Sequence, residues 1–263
     1  MLKLNNICKV FNKNTVNENK VFENLDLEIK DGDFITLVGS NGAGKSTLLN
    51  LIAGVFPVES GTIIVDNTDV TLFPEYKRAC FIGRVFQNPL LGTAPSMTIE
   101  ENLSLAYSKS QGMKLKMGIN KKNRELFKNR LSELGLGLEN RLKTKVGLLS
   151  GGQRQALTLL MATLVKPKLL LLDEHTAALD PRTASIINNI TNKIIENNNL
   201  TTIMVTHNLE HALIFGNRLI MMHQGKIILD IREEKHGMTV QKLLNMFNKV
   251  NGSEFVDDRV MLA

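Results

Sequence analysis

Cysteine is scarce in this chain of 263 residues, which contains only Cys8 and Cys80. Two cysteines cannot build a disulfide framework at this length, so a reduced, cytosolic setting fits best. Long hydrophobic runs are also missing, because the longest candidate, 156–165, falls well short of the roughly 18–20 residues that span a bilayer. The first six residues lack the apolar core of a signal peptide. We therefore expect a chain that is neither exported nor membrane-spanning by itself.

The composition is that of an ordinary globular protein, with 43% hydrophobic and 22% charged residues. This excludes a disordered, collagen-like or coiled-coil protein. The net charge of +6 is concentrated in one segment, because residues 109–130 carry eight basic side chains and one acidic side chain. The remaining residues have a net charge of −1. This basic segment is either a solvated face or a surface for anionic lipid or an acidic partner.

Hydrophobic patterning predicts an α/β protein with a parallel sheet and crossover helices. The predicted strands are 2–11, 21–29, 34–38, 61–65, 79–86, 169–172 and 201–206, and the predicted helices include 46–53, 156–165 and one around 186–195. The middle of the chain, about 88–165, is richer in helix formers and is predicted to be a mostly helical insert. The last stretch, 248–263, has no clear pattern and is expected to be a loose tail.

The segment 39–46 has the P-loop spacing of two glycines followed by a lysine and a hydroxyl residue. Glycines let backbone N–H groups turn toward phosphate oxygens, and the following helix points its positive end at the same phosphates. Lys45 would supply a charge for the β- and γ-phosphates, and Ser46 a hydroxyl for Mg²⁺. The alternative is a glycine-rich turn before an ordinary helix. A predicted strand before the loop and a helix after it favour nucleotide binding.

Acidic side chains end the most apolar predicted strand, 169–172. Ligands bind at the carboxyl edge of such sheets, so Asp173 can hold Mg²⁺ there. Glu174 can orient or deprotonate an attacking water. Without the P-loop, this pair would equally well be a solvated strand end.

Two further polar residues follow predicted strands. His207 comes after 201–206, where an imidazole could hydrogen-bond the γ-phosphate, although a surface histidine is the simpler interpretation by itself. Gln87 ends the strand 79–86, where an amide could ligate Mg²⁺ or position water; this signal is weak from spacing alone.

The segment 149–153, Leu-Ser-Gly-Gly-Gln, lies just before a predicted buried helix. It is either a plain helix cap or a second anion site at a helix N-terminus. Because the chain has only one P-loop, a second phosphate-binding element suggests a site completed between two copies.

These motifs together resemble those of the ATP-binding subunit of an ABC transporter, over about Leu2 to Phe247. The matching motifs are the Walker A loop 39–47, the Q-loop glutamine Gln87, the signature 149–153, the Walker B strand 169–173 with the catalytic Glu174, the D-loop 178–180 and the switch histidine His207. Phe11 matches the aromatic position that stacks on adenine, with a core strand residue as the alternative.

The resemblance implies ATP and Mg²⁺ as cofactors. The ATP-binding residues that it implies are Phe11, Gly39, Ser40, Asn41, Gly42, Ala43, Gly44, Lys45, Ser46 and Thr47. The signature residues implied to contact ATP in the other copy are Ser150, Gly151, Gly152 and Gln153, with Asp180 in the D-loop. The catalytic residues implied are Glu174 and His207, and the Mg²⁺ ligands are Ser46, Gln87 and Asp173.

The resemblance also implies the P-loop NTPase fold, with a mostly parallel core sheet, an N-terminal antiparallel β subdomain and an inserted helical subdomain. The expected organisation is a single ABC ATPase domain over 1–247, with the helical insert at about 88–165 and a C-terminal tail at 248–263. The chain ends without the extra regulatory domain of some importer ATPases, so regulation through such a domain is not expected.

The family works as a head-to-tail homodimer with two ATPs between the copies, coupled to an integral-membrane permease. The expected location is therefore the cytoplasmic face of the cell membrane, as a peripheral subunit. The segments 92–103, 173–181 and 215–222 resemble a bacterial subgroup described as tryptophan/tyrosine-type amino-acid uptake systems, which adds an external solute-binding lipoprotein. Most relatives have proline where this chain has His175.

Three alternatives stay open beside an import ATPase. One is an exporter ATPase. Another is a soluble ABC-type ATPase acting on nucleic acid or the ribosome, but the long coiled coils or paired ATPase halves of those proteins are missing, so no nucleic-acid partner is expected. The third is a regulatory subunit without turnover, which would need a degraded catalytic site, whereas Glu174 and His207 are both present.

Overall fold

The computed structural model describes residues 1–109, 118–232, 235 and 237–251. Residues 110–117 of the predicted basic segment and 252–263 of the predicted tail lie outside this part of the chain. The chain divides into two compact units. Unit 1 comprises Met1–Ala79 and Thr201–Ala263, and unit 2 comprises Cys80–Leu200.

The secondary structure combines strands and helices. The strands are β1 (Leu2–Phe11), β2 (Asn19–Ile29), β3 (Phe34–Gly39), β4 (Ser60–Val65), β5 (Thr68–Asp69), β6 (Ile82–Val85), β7 (Leu169–Asp173), β8 (Thr201–Val205), β9 (Arg218–His223) and β10 (Lys226–Ile231). The α-helices are α1 (Lys45–Ala53), α2 (Glu75–Arg78), α3 (Ile99–Ser108), α4 (Lys121–Ser132), α5 (Gly151–Thr163), α6 (Pro181–Asn198), α7 (Leu209–Ile214) and α8 (Val240–Asn251). Short 3₁₀ turns occupy Pro89–Gly92, Leu138–Asn140 and Val146–Leu148.

Unit 1 contains an antiparallel sheet in the order β2-β1-β4-β5. Its apolar side chains alternate with polar ones, so Leu2, Leu4 and Ile7 of β1 are buried while Lys3 is exposed. Bulges follow Leu4 in the pairing with β2, which shifts the alternation by one residue. The predicted N-terminal antiparallel subdomain is therefore confirmed.

Parallel pairing in unit 1 is centred on β3, which has β8 on one side and β9 on the other, with β10 antiparallel to β9. Leu37 lies opposite Val205 in this pairing. The buried side chains Val38, Leu219 and Met221 pack with Leu243 and Phe247, which face the core from α8. The parallel pairing of β3 with β8 places the carboxyl ends of these two strands side by side.

Unit 2 contains the parallel pair β6–β7 and the helices α3 to α6. Its core brings together Phe127 of α4, Leu157 of α5 and Ile187 of α6, all at most 1% exposed. Helix α3 begins at a capping box in which Thr98 and Glu101 bond each other's backbone N–H groups. The predicted α/β class with a helical insert is confirmed, since the described part of unit 2 between β6 and β7 contains the helices α3, α4 and α5.

The structure differs from the sequence expectations at a few elements. β6 is shorter than the predicted strand 79–86, because Ala79 ends helix α2. Helix α8 continues to Asn251, four residues into the predicted tail 248–263. The hairpin β9–β10 was not predicted; its two-residue turn, Gln224-Gly225, has positive φ at both positions. None of the helices described is both long and apolar enough to cross a membrane.

Candidate functional site

The predicted phosphate loop lies in unit 1 between β3 and α1. The amide of Ala43 donates to the carbonyl oxygen of Ser40 at 3.1 Å, which closes the loop into a turn. Gly39 has φ +151°, and a Cβ there would collide with the backbone carbonyl of Met222 in β9. A glycine is therefore required at this position by the close approach of a neighbouring strand.

Lys45 is the first residue of α1 and is only 6% exposed. Its Nζ donates to the carbonyl oxygens of Gly39, at 2.7 Å, and Ser40, at 3.0 Å. The ammonium group is therefore folded back over the loop itself. Ser46, the next residue, is exposed in the first turn of the helix.

His207 lies in the same unit, two residues beyond the pair Leu37–Val205. The amide of Thr206 donates to the carbonyl oxygen of Leu37 at 3.2 Å, so the two strands are still joined just before His207. Gly39 lies two residues beyond Leu37 on the neighbouring strand. The half-buried His207 and the phosphate loop therefore share one sheet edge, as the sequence predicts.

Phe11, the predicted adenine-stacking residue, ends β1 and is half-buried. Its ring meets Phe56 edge-on at 5.3 Å between centroids, and the Lys9 ammonium lies 5.1 Å from its ring centroid. Lys9 is paired in turn with Glu59 at 3.0 Å. The ring is thus supported at one edge and keeps part of its surface open to solvent.

Asp173 ends β7 in unit 2, at the carboxyl edge of that strand. Its Oδ2 is 3.6 Å from a guanidinium nitrogen of Arg84, on the parallel strand β6. The guanidinium also lies 4.5 Å from the ring centroid of Phe86. Arg84 belongs to no motif of the sequence, and its pairing with Asp173 depends on the register of two strands that are distant along the chain.

Glu174 follows at once and is half-buried, with φ +45°. Its carbonyl oxygen accepts a hydrogen bond from the amide of Ala177 at 2.9 Å, which starts a tight turn. His175 is 3% exposed, and its Nε2 is 3.0 Å from Oγ1 of Thr191 in α6. These two contacts anchor the beginning of the loop that follows β7.

Gln87 is exposed and lies two residues after β6. The segment is held on both sides of it. Gln155 of α5 donates to the carbonyl oxygen of Phe86 at 3.2 Å, and the Asn88 side chain caps the following 3₁₀ turn by accepting from the amide of Leu90 at 3.0 Å. The Gln87 side chain is thus presented from an anchored loop.

The predicted signature begins helix α5 with a capping box. The Ser150 hydroxyl accepts from the amide of Gln153 at 3.2 Å, and the Gln153 side chain accepts from the amide of Ser150 at 3.3 Å. Backbone N–H groups in the first turn of a helix have no partner within the helix, so those of Gly151 and Gly152 are free of the intrahelical ladder. The segment is both a helix cap and a helix N-terminus suited to an anion.

The signature also lies close to the helix that follows the predicted D-loop in unit 2. A Cβ on Gly152 would collide with the side chain of Thr183 in α6, so α5 and α6 approach closely at this point. Asp180 caps α6 by accepting from the amide of Thr183 at 3.0 Å. Hydrogen bonding to the Thr183 side chain and backbone lowers the pKa of Asp180 below its ordinary value.

Comparison with known proteins indicates the same class of protein as the geometry of the site. Residues 22–177 match the family described as ABC transporter. The "Tyrosine transport ATP-binding protein" of Clostridioides difficile is 49% identical over 248 residues, which cover 94% of this chain and 98% of that protein. The "Spermidine/putrescine import ATP-binding protein PotA" of Pasteurella multocida is 34% identical over 96% of this chain and 65% of its own length.

Two solved structures resemble the fold at a TM-score of 0.75. One is the dimeric post-hydrolysis state of the ATP-binding cassette MJ0796 bound to ADP and Pi, at 30% identity, covering 88% of this chain and 98% of that chain. The other is cbiO1 from Clostridium perfringens, at 26% identity, covering 94% of each chain.

The fold and its phosphate loop therefore define a P-loop NTPase. The chain belongs to the ABC transporter family, as one of its ATP-binding, ATP-hydrolysing subunits.

Proposed function

We propose that this chain binds ATP at the loop 39–47 and hydrolyses it to drive import of an amino acid through a separate membrane permease. The observation that carries the nucleotide role is the buried Lys45, whose ammonium is folded over the loop by two carbonyl acceptors. Phosphate oxygens are stronger acceptors than carbonyl oxygens, and each charge-assisted contact is worth roughly 1.5–3 kcal/mol. Phe11 would stack on the adenine ring.

Hydrolysis is assigned to the side chains at the strand ends. Glu174 would orient or deprotonate the attacking water, and His207 would hydrogen-bond the γ-phosphate. The oxygen atoms of Ser46, Gln87 and Asp173 are the hard ligands that Mg²⁺ takes, so the donor set fits this ion. When bound, Mg²⁺ would neutralise phosphate charge.

Two copies would complete the site, each offering Ser150 to Gln153 to the nucleotide held by the other. The capped N-terminus of α5 supports this role, since its first-turn N–H groups suit an anion. The chain has a single phosphate loop beside this second phosphate-binding element, which suggests a site completed between two copies. The MJ0796 relative is dimeric, and cbiO1 is part of a transporter complex, cbiONQ. The anchored Gln87 loop and the helices of unit 2 would pass the motion of the dimer to the permease.

The substrate proposal rests on the relative named for tyrosine transport, since 49% identity extends over nearly all of both chains. Tyrosine or a similar aromatic amino acid is the proposed solute, delivered by an external solute-binding lipoprotein. The ATPase would work at the cytoplasmic face of the membrane. The substrate itself would not contact this subunit.

Replacing Glu174 with glutamine tests the hydrolytic role. Glu174→Gln keeps the size and polarity of the side chain but removes the carboxylate, so we expect unchanged ATP affinity and at least about 100-fold slower hydrolysis. Glu133→Gln, an exposed position on the same unit, is the matched control and should hydrolyse ATP like the unmodified chain. Hydrolysis by Glu174→Gln at the unmodified rate would refute the role of Glu174.

Gentle purification of the subunit from native membranes tests the transport role. We expect a polytopic permease and a solute-binding lipoprotein to accompany it, and the lipoprotein to bind tyrosine in equilibrium dialysis. A permease without a binding protein would favour export. Recovery with ribosomes or DNA and no permease would contradict the transporter role.

A further inference from the structure

Glu174 adopts a backbone conformation that a residue with a Cβ rarely takes. Its φ of +45° lies in the left-handed region, where the side chain crowds its own backbone. Such a conformation persists only when the surrounding structure enforces it. The contacts that hold this peptide therefore determine where the Glu174 carboxylate points.

His175 provides one of these contacts through a two-step hydrogen-bond chain. Its Nε2 is 3.0 Å from Oγ1 of Thr191, and Oγ1 of Thr191 is 2.8 Å from the carbonyl oxygen of Ile187. A threonine hydroxyl has a single hydrogen, and the carbonyl of Ile187 can only accept it. With the Thr191 proton donated to the Ile187 carbonyl, the Thr191 oxygen accepts from Nε2–H of His175, and this bond orients the ring.

The acceptor end of this hydrogen-bond chain is held in place by burial. His175, Thr191 and Ile187 are 3%, 2% and 1% exposed, and the last two lie one turn apart on the buried face of α6. On the other side of Glu174, Leu172 in β7 is fully buried and pairs with Val85 of β6. The backbone of Glu174 is therefore held between a buried strand and the buried face of α6.

We propose that His175, acting through Thr191, is a positioning residue that keeps Glu174 in its left-handed conformation and its carboxylate aimed for hydrolysis. The proposal rests on the proposed role of Glu174 and goes beyond it, because it assigns a task to the residue that follows. His175 itself touches neither nucleotide nor water in this account.

Thr191→Val removes the acceptor and keeps the side-chain shape. We expect kcat for ATP to fall about tenfold or more, because small misplacement of a catalytic group is costly, while KM stays within about twofold. Each rate is divided by the concentration of ATP-binding sites, which equilibrium binding measures. A loss of folded protein is then not mistaken for a lower kcat. Thr191→Ser keeps the hydroxyl and should restore most of kcat.

Thr163→Val is the matched control for the helix itself. Thr163 in α5 also donates to the carbonyl four residues earlier, Leu159, at 2.8 Å, but it receives no bond from a histidine. We expect it to leave kcat unchanged. A kcat for Thr163→Val as low as that for Thr191→Val would overturn the proposal, since loss of the helix contact alone would then explain the effect.

His175 variants test the donor end. His175→Gln places an amide N–H within reach of Thr191 and should retain more of kcat than His175→Ala, which removes the donor. Equal kcat for His175→Ala and the unmodified chain would overturn the proposal.

Adding Thr191→Val to Glu174→Gln separates positioning from general damage. We expect ATP affinity in this double variant to equal that of Glu174→Gln, because the hydrogen-bond chain acts on the carboxylate and not on nucleotide binding. Weaker ATP binding would mean a structural role and overturn the proposal. If Glu174→Gln itself hydrolyses ATP normally, the proposed function fails instead, which the single variant reveals independently.

Discussion

At the scale of single residues, Lys235 is an ionisable side chain that is almost wholly removed from water, with 3% of its surface exposed. Its Nζ donates to the carbonyl oxygens of Phe215 and Gly216 and to Oγ1 of Thr36. Burial lowers the pKa of Lys235 from 10.5 to about 8. The folded state thus releases this proton more readily than the unfolded chain.

The lowered pKa of Lys235 makes stability depend on pH in a defined window. Between pH 8 and about 10.5 the unfolded state binds more protons than the folded state, so the free energy of unfolding rises with pH. Relative to Lys235→Met, which cannot titrate, we expect the unmodified protein to gain about 2 kcal/mol from pH 8 to pH 10. Urea denaturation at three pH values measures this difference.

Lys242→Met, at an exposed position on α8, is the control for replacing a lysine by methionine. If the free energies of unfolding for Lys235→Met and the unmodified protein run parallel across the window, Lys235 keeps an ordinary pKa in the fold.

Helix caps are the residue-scale features that the sequence predicts best. Ser150 was interpreted either as a cap or as part of an anion site, and its hydroxyl does cap α5. A cap depends on neighbours only three residues away, so the local pattern suffices. The Arg84–Asp173 and His175–Thr191 contacts depend on the tertiary packing of distant segments, which no local pattern specifies.

At the scale of elements, the buried strands were predictable because their apolar runs are continuous. β7 has four fully buried leucines in a row and β3 has five buried residues, as a strand covered on both faces requires. β9 has the same character, but its apolar run 219–222 lies between the short helix α7 and a short hairpin turn. Among the side chains described in α8, the buried ones are Leu243 and Phe247, and this one-turn spacing is weak evidence for a helix.

Arg218 in β9 joins several elements of unit 1. Its guanidinium donates to both carboxylate oxygens of Asp230 in β10, at 2.7 and 2.6 Å. It also donates to the carbonyl oxygen of Glu28 in β2, at 2.7 Å, and to Asp33 before β3, at 3.3 Å. The bond from Arg218 is the largest cause that lowers the pKa of Asp230.

Loss of Arg218 should destabilise unit 1 strongly. Arg218→Met removes the hydrogen bonds to Asp230, to the Glu28 carbonyl and to the buried Asp33, which keeps Arg232 as its remaining partner at 3.2 Å, so we expect the free energy of unfolding to fall by about 2–3 kcal/mol. Arg130→Met breaks an exposed pair with Glu133 and should cost less than about 1 kcal/mol. Chemical denaturation of both variants checks this, and equal losses would contradict the assigned role of the network.

At the scale of the whole molecule, the sequence predicts the members of the site better than their arrangement. The phosphate loop, Asp173 and His207 each follow a predicted strand, and the structure places each at the end of a strand. The pairing of β3 with β8 then brings the loop and His207 to one edge. The contact between two copies leaves no periodic pattern in one chain. The sequence suggests it only through a second phosphate-binding element beside a single P-loop, and the family resemblance implies the same arrangement.

The central claim is that ATP joins two copies through the phosphate loop of one and the signature of the other. Sedimentation of Glu174→Gln with Mg-ATP tests it most directly. We expect the mass to double from 29.3 kDa, because bound ATP is not consumed.

Gly151→Asp, added to Glu174→Gln, should leave ATP binding intact but abolish the dimer. An acidic residue suits the N-terminus of α5, yet it repels the phosphates of the ATP held by the partner copy. Lys45→Ala should lose both ATP binding and the dimer. An ATP-dependent dimer that is unaffected by Gly151→Asp, or a Glu174→Gln chain that stays at 29.3 kDa with ATP bound, would contradict the account.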